Sequence, residues 1–200
     1  MLKQIFFIKN SFKIALAAVM LCLQACGSFE PEQLDAIVLE VEPTNLNFAH
    51  LEILDEYDSI EFEPHIEASF NTEPKQYLIE KFPLYLKTKG EEGMLRVSIL
   101  TAAVTMLPLP EQEKQVFGNN VMRKFEAKTD LKLEIFKGDE LKPAEQILVN
   151  LVNTKQGHAD MSEVELEFFY NSFNRNIAQG AFNTIIQKLE ELDKGYILED

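Results

Sequence analysis

The chain has 200 residues, 46% of them apolar, with 19 Lys+Arg against 33 Asp+Glu and a formal charge of −14. That length suits one domain, and that apolar share supports a buried core and excludes wholesale disorder. The acidic balance excludes nucleic acid as a partner and a broad electrostatic grip on anionic lipid headgroups.

The first 25 residues read as a leader. Lys3, Lys9 and Lys13 precede residues 14–23 (IALAAVMLCL), an uncharged apolar run. At 1.5 Å per residue such a run spans about 15 Å, roughly half the hydrocarbon core of a bilayer. Basic flanks before it and small residues after it mark a secretory signal and not a stop-transfer helix. Beyond the leader, 16 Lys+Arg face 33 Asp+Glu, a charge of −17. Of the two cysteines, Cys22 lies in the leader and Cys26 just past it, so no intramolecular disulfide is expected in the mature chain.

The junction Leu23-Gln24-Ala25-Cys26-Gly27-Ser28 resembles the bacterial lipobox, Leu-x-Ala/Gly-Cys. The resemblance implies a diacylglycerol thioether on Cys26, cleavage before it, acylation of the new amine and a periplasm-facing, membrane-anchored protein. No other cofactor is expected. One acyl chain holds only marginally, at about 0.8 kcal/mol per buried methylene, whereas two or three hold firmly. Gly27 stands where, in enteric bacteria, an Asp resembles an inner-membrane retention signal, which favours the outer membrane.

Residues 26–34 form a polar tether, and residues 35–200 a single periplasmic domain. Within it, residues 36–41 (AIVLEV) and 48–54 (FAHLEIL) are strand candidates. Residues 55–72 are acidic and irregular. A short helix starts near Thr72, with Leu78, Ile79, Phe82, Tyr85 and Leu86 at helical spacing. Pro83 is expected to kink or split it, and Lys87, Lys89 and Gly90 to form its C-terminal end. Residues 95–107 are apolar at successive positions, which suits a central strand covered on both faces. Residues 121–135 alternate apolar and charged with period two, the clearest strand in the chain. A hairpin-like turn at Lys137-Gly138-Asp139-Glu140 leads to a strand at about 147–154, and residues 155–160 are expected to be a loop. Ser162 and Glu165 form a capping box for a long helix carrying Leu166, Phe169, Phe173, Ile177, Ala178, Phe182, Ile185, Leu189 and Leu192. Gly195 is expected to end it. Glu167, Asn171, Asn174, Arg175, Gln179 and Lys188 interrupt that helix too often for a membrane span. The expected fold is α+β: an antiparallel sheet of about four strands with a short helix and a long C-terminal helix on one face.

The sequence contains no nucleophile elbow, zinc-protease helix, phosphate loop, dinucleotide fingerprint or EF-hand loop. Lipid on Cys26 would remove the one mature thiol as a nucleophile, so no catalytic residues are assigned and a non-enzyme is expected. The best metal candidate is Glu63, His65 and Glu67, which would share a face in an extended segment. A solvated histidine in an acidic loop is the alternative. His158 beside Asp160 suits a local turn bond. Phe168, Phe169, Tyr170 and Phe173 are core candidates that also make a candidate partner face. Phe168 and Phe169 are adjacent and cannot share one narrow seam, which leaves one of them for contact.

The order of elements behind the lipobox, over residues 35–193, resembles the auxiliary lipoproteins of MCE-type (paraquat-inducible) lipid-transport systems. The stretch from Pro64-His65-Ile66-Glu67 through Gly90-x-x-Gly93-x-Leu95-Arg96-Val97, then Phe125-x-Ala127 and Leu131-x-Leu133, also resembles small lipoproteins of alphaproteobacteria. Pro83 departs from their uninterrupted helix. The lipoprotein partner of the lipopolysaccharide-assembly barrel has a related layout, so layout alone does not choose a client. These resemblances imply an accessory subunit in lipid or envelope-component transport that recruits an envelope protein through a strand edge or the helix face. A periplasmic metal-binding protein or hydrolase and a structural lipoprotein touching peptidoglycan stay open as alternatives.

Overall fold

The computed structural model describes residues 39–108, 122–138, 140–192 and 194–198. The chain divides into residues 1–36 and 37–200, and all described residues belong to the second unit. The leader, the lipobox and the expected tether therefore lie outside the described residues.

The fold is α+β. Strands β1 (Thr44–Leu46) and β2 (His50–Asp55) come first, then a 3-10 turn at Glu67–Ser69, helix α1 (Pro74–Tyr85) and strand β3 (Leu86–Thr88). Strands β4 (Met94–Pro108), β5 (Met122–Phe136) and β6 (Glu145–His158) follow, and helix α2 (Glu163–Glu191) comes last. The main sheet has the order β2-β4-β5-β6, and β1 and β3 form a separate two-stranded sheet.

The β4-β5 and β5-β6 pairs are antiparallel. The β2-β4 pair is parallel, from His50↔Met94 to Asp55↔Ile99. Parallel neighbours need a crossover, and here α1 lies between them in the chain and against both. Helix α2 covers β5 and β6 on the same side.

Alternation builds the core. On β5, Phe125, Ala127, Leu131, Leu133 and Ile135 are buried beneath the helices. Beside them on β4 lie Val104, Ile99, Val97 and Leu95. The helices supply Tyr77, Leu78, Phe82 and Tyr85 from α1 and Phe169, Phe173, Ile177 and Ile185 from α2. Each fully buried side chain of this kind contributes about 1.5–3 kcal/mol. Among the described residues no helix is long and apolar enough to cross a membrane.

Several expectations need correction. Residues 39–41 are not a strand, and the first strand begins at Thr44. Helix α1 ends at Tyr85 and Lys87 lies in β3, from which its ammonium donates back to the Pro83 carbonyl in the last turn at 3.2 Å; β3 pairs with β1 through Thr44↔Leu86, Asn45↔Lys87 and Leu46↔Thr88. Three residues are too few to show a period, so this pairing left no pattern to read. Gly90 comes so close to β1's exit that a Cβ there would sit 2.5 Å from the Asn47 carbonyl carbon. Pro83 leaves α1 unsplit because it falls in the last turn, two residues before the end.

The helices cover one face of β4, and on the other face only Ser98 and Ala103 are buried. A bulge at Leu100 shifts the register between Ile99 and Thr101, so Ile99 and Ala102, three apart, both face the helices. The apolar run therefore came in part from two half-strands of opposite phase; the second face carries Arg96, Ser98, Thr101 and Thr105 together with the apolar Ala103 and Leu107. Residues 155–158 belong to β6 and not to a loop.

The capping box of α2 forms as expected. Ser162 Oγ accepts from the Glu165 amide at 3.4 Å, and the Glu165 carboxylate accepts from the Ser162 amide at 2.8 Å. Helix α2 ends at Glu191, before Gly195. The tail then returns to β1: the Asn47 amide donates to the Tyr196 carbonyl at 2.8 Å, and Tyr196 stacks on Phe48.

Candidate functional site

Three groups of residues compete as sites: the lipobox, the His65 segment and the aromatic face of α2. Leu23, Gln24, Ala25 and Cys26 lie outside the described residues.

The His65 segment continues the β4 edge where β2 stops. The Ile66 amide donates to the Val104 carbonyl at 2.9 Å, and the Met106 amide to the Pro64 carbonyl at 2.9 Å. His65 thus faces Thr105 across an antiparallel bridge. One turn earlier the chain folds back, with the His65 amide on the Phe62 carbonyl at 3.0 Å. The segment is therefore not extended through Glu63, and the three expected ligands do not share a face. Glu63 is exposed, whereas Glu67 is wholly buried.

Glu67 is committed inward. Its carboxylate accepts from the Tyr57 hydroxyl at 2.7 Å, the Ile60 amide at 3.1 Å and the Val104 amide at 3.1 Å. Burial by itself would push this carboxyl up. The Tyr57 hydroxyl, its own amide and the amides of Val104 and Ile60 outweigh that and hold it below the ordinary glutamate range. Tyr57 moves the other way, raised by its burial and by the Glu67 carboxylate it must keep donating to. His65 Nδ1 lies 3.5 Å from Glu67 Oε1. The chemistry of this arrangement is mechanical: a buried carboxylate pins residues 57–67 to the edge of β4. Among the described residues no group of three or more His, Cys, Asp or Glu side chains is placed to hold a metal ion. Tyr57, the partner that defines the role of Glu67, carried no sequence signal because ten residues of irregular chain separate them.

His158, at the end of β6, is exposed and directly precedes a turn at residues 159–160. An open cleft of about 500 Å³ runs between Ala49-His50, Glu91–Met94 and the β5-β6 turn.

The aromatic face separates into two roles. Phe169 and Phe173 are core: Phe169 lies 4.5 Å from Phe125 between ring centroids, and Phe173 is 1% exposed. Tyr170 is half-buried and stacks on Phe70 at 4.1 Å. Phe168 is 51% exposed, and Val164, one turn earlier on the same face, is also exposed. Of the four residues of the candidate partner face, Phe168 is the one that is exposed, with Val164 beside it. A second apolar surface was not located from the sequence: Leu148 and Val152 on β6, exposed on the side of the sheet away from the helices.

No family model matches the sequence. No curated protein matches it either. Among solved structures the chain is similar to rare lipoprotein B from Shewanella oneidensis, at 10% identity and a TM-score of 0.47, over 72% of this chain and 98% of that one. It is similar to a minor lipoprotein from Acinetobacter baumannii at 8% identity and a TM-score of 0.40, over 78% and 99%. It is also similar to lipoprotein B from Nitrosomonas europaea at 14% identity and a TM-score of 0.38, over 79% and 93%.

Proposed function

We propose that this chain is an envelope lipoprotein, held to a membrane by acyl chains on Cys26, whose α+β domain serves as a non-enzymatic accessory subunit in lipid or envelope-component transport. The observation that carries this reading is the leader itself: three lysines, ten apolar residues and Leu23-Gln24-Ala25-Cys26 in that order. Gly27 after the cysteine favours the outer membrane. The domain needs no membrane-binding patch of its own, because two or three chains suffice for anchoring. Its acidic surface keeps it solvated beside the bilayer. Phe168 and Val164 supply an exposed apolar contact for a protein partner on the rim of an otherwise polar helix face.

Metabolic labelling with radioactive palmitate tests the anchor. The wild-type chain should take up label and sediment with membranes, and Cys26→Ala should abolish both. Protein from the native cell that still began at Met1 and stayed in the aqueous phase would overturn the reading. The transport role is tested by crosslinking at Phe168 in intact cells. Recovery of a permease, a substrate-binding subunit or an outer-membrane barrel supports it, and crosslinks to peptidoglycan alone refute it.

A further inference from the structure

A sheet edge left open invites another strand, and soluble proteins guard against it with charge, proline, bulges or short length. Strand β6 uses none of these along its middle. It runs from Glu145 to His158, and its pairing with β5 holds one register from end to end without a bulge. Residues 147–154 (ILVNLVNT) contain no charge and no proline, in a chain of net charge −14. Among the described residues β6 pairs with β5 alone. The opposite edge strand, β2, is short and carries Glu52 and Asp55.

The sequence of β6 is complementary to itself when reversed about Asn150. An antiparallel copy centred there sets Leu148 opposite Val152 twice, on the face where both are exposed. The same register sets Glu145 opposite Lys155 twice, on the helix face. A shift of two residues in either direction loses both matches. Lys155 has need of such a partner. Its ammonium donates to Ser172 and lies 4.7 Å over the Phe169 ring, and it pairs with no carboxylate among the described residues. Burial, with Arg175 nearby, lowers its pKa. Glu145 contacts Lys194 and Tyr196 through Oε1 only, which leaves Oε2 for the second copy.

Helix α2 permits the same approach. It runs above β6, with Ser172 on Lys155 and Gly180 beside Asn153. The stripe through those two positions is Ser172, Asn176, Gly180, Asn183 and Gln187, small or uncharged throughout. Two such stripes can meet at the 8–10 Å spacing of packed helices without like-charge repulsion.

We propose that β6 pairs antiparallel with β6 of a second copy of this chain, centred on Asn150, to give a continuous eight-stranded sheet. The inference goes beyond the accessory-subunit reading and leaves Phe168 to any other partner.

Disulfide trapping in native membranes tests it on the full-length lipoprotein. Directly opposed residues have Cα atoms about 4.5–5.5 Å apart, within disulfide range. Asn150→Cys should crosslink to twice the chain mass. Leu148→Cys and Val152→Cys should crosslink when the two variants are co-expressed and not when either is alone. The wild-type chain, with its lipidated Cys26, is the control. Adding Leu148→Lys and Val152→Lys to Asn150→Cys, at two exposed positions, should abolish the band. No crosslink at position 150, equal crosslinking at 148 alone, or a band of different mass containing another protein would each overturn the proposal. Palmitate label on the same samples reports the anchor separately, so failure of one reading is distinguishable from failure of the other.

Discussion

The two faces of the four-stranded sheet are built from alternate residues of the same strands, yet they are held by different forces. The helix face is closed by shape: Leu95, Val97, Leu131, Leu133, Ile135, Phe173 and Ile177 are all 1% exposed or less. The open face is closed by charge. Arg96 bonds Glu52 at 2.6 Å and approaches Glu134 at 3.8 Å, Lys132 links Glu134 to Glu56, and Lys128 meets Asp130 at 3.1 Å. A pair such as Lys128–Asp130, with Lys128 60% exposed, contributes about 0–1 kcal/mol, against several for a buried aromatic. The lesson is a division of labour. The helix face sets stability, and the open face sets solubility and keeps partners off, until it turns apolar at Leu148 and Val152.

Substitutions at three positions would break or sharpen that contrast. Phe173→Ala opens a cavity between α2 and the sheet and should cost about 3–5 kcal/mol in urea unfolding. Glu67→Ala should come next, at about 2–4 kcal/mol, because it leaves the buried Val104 amide and the half-buried Tyr57 hydroxyl and Ile60 amide without an acceptor. The same group sets a pH dependence. Its folded pKa is depressed, so its contribution is complete above the ordinary value of 4.5 and is lost as pH falls through the folded value. Stability of the wild type measured from pH 6 downward should therefore fall more steeply than that of Glu67→Gln. Equal slopes would show that the carboxylate is not what pins the segment. Lys128→Ala, on the open face, should change stability by less than about 0.5 kcal/mol. A loss as large as that of Phe173→Ala would erase the distinction between the faces.

Much of this was legible beforehand. The period-two pattern from Phe125 to Ile135 identified β5 because one wetted face leaves a charged residue at every second position. Ser162 and Glu165 located the start of α2 because a cap is satisfied within four residues. The adjacency of Phe168 and Phe169 already showed that the two could not share one narrow seam. The candidate site was less legible. Glu63, His65 and Glu67 looked like ligands on one face, but a turn at residues 62–65 separates Glu63 from the other two. The buried acceptor role of Glu67 depends on Tyr57 and Val104, which only the folded chain brings to it.

The sequence by itself determined what is local: the phase of β5, the cap of α2 and the α+β class. These follow from interactions between residues a few positions apart or from a periodicity that one buried face imposes. Only the tertiary structure decided the parallel pairing of β2 with β4, the β1-β3 sheet, the bulge at Leu100 and the burial of Glu67. Each depends on which distant segment supplies the missing hydrogen-bond partner, and backbone amides carry no side-chain label to announce that choice.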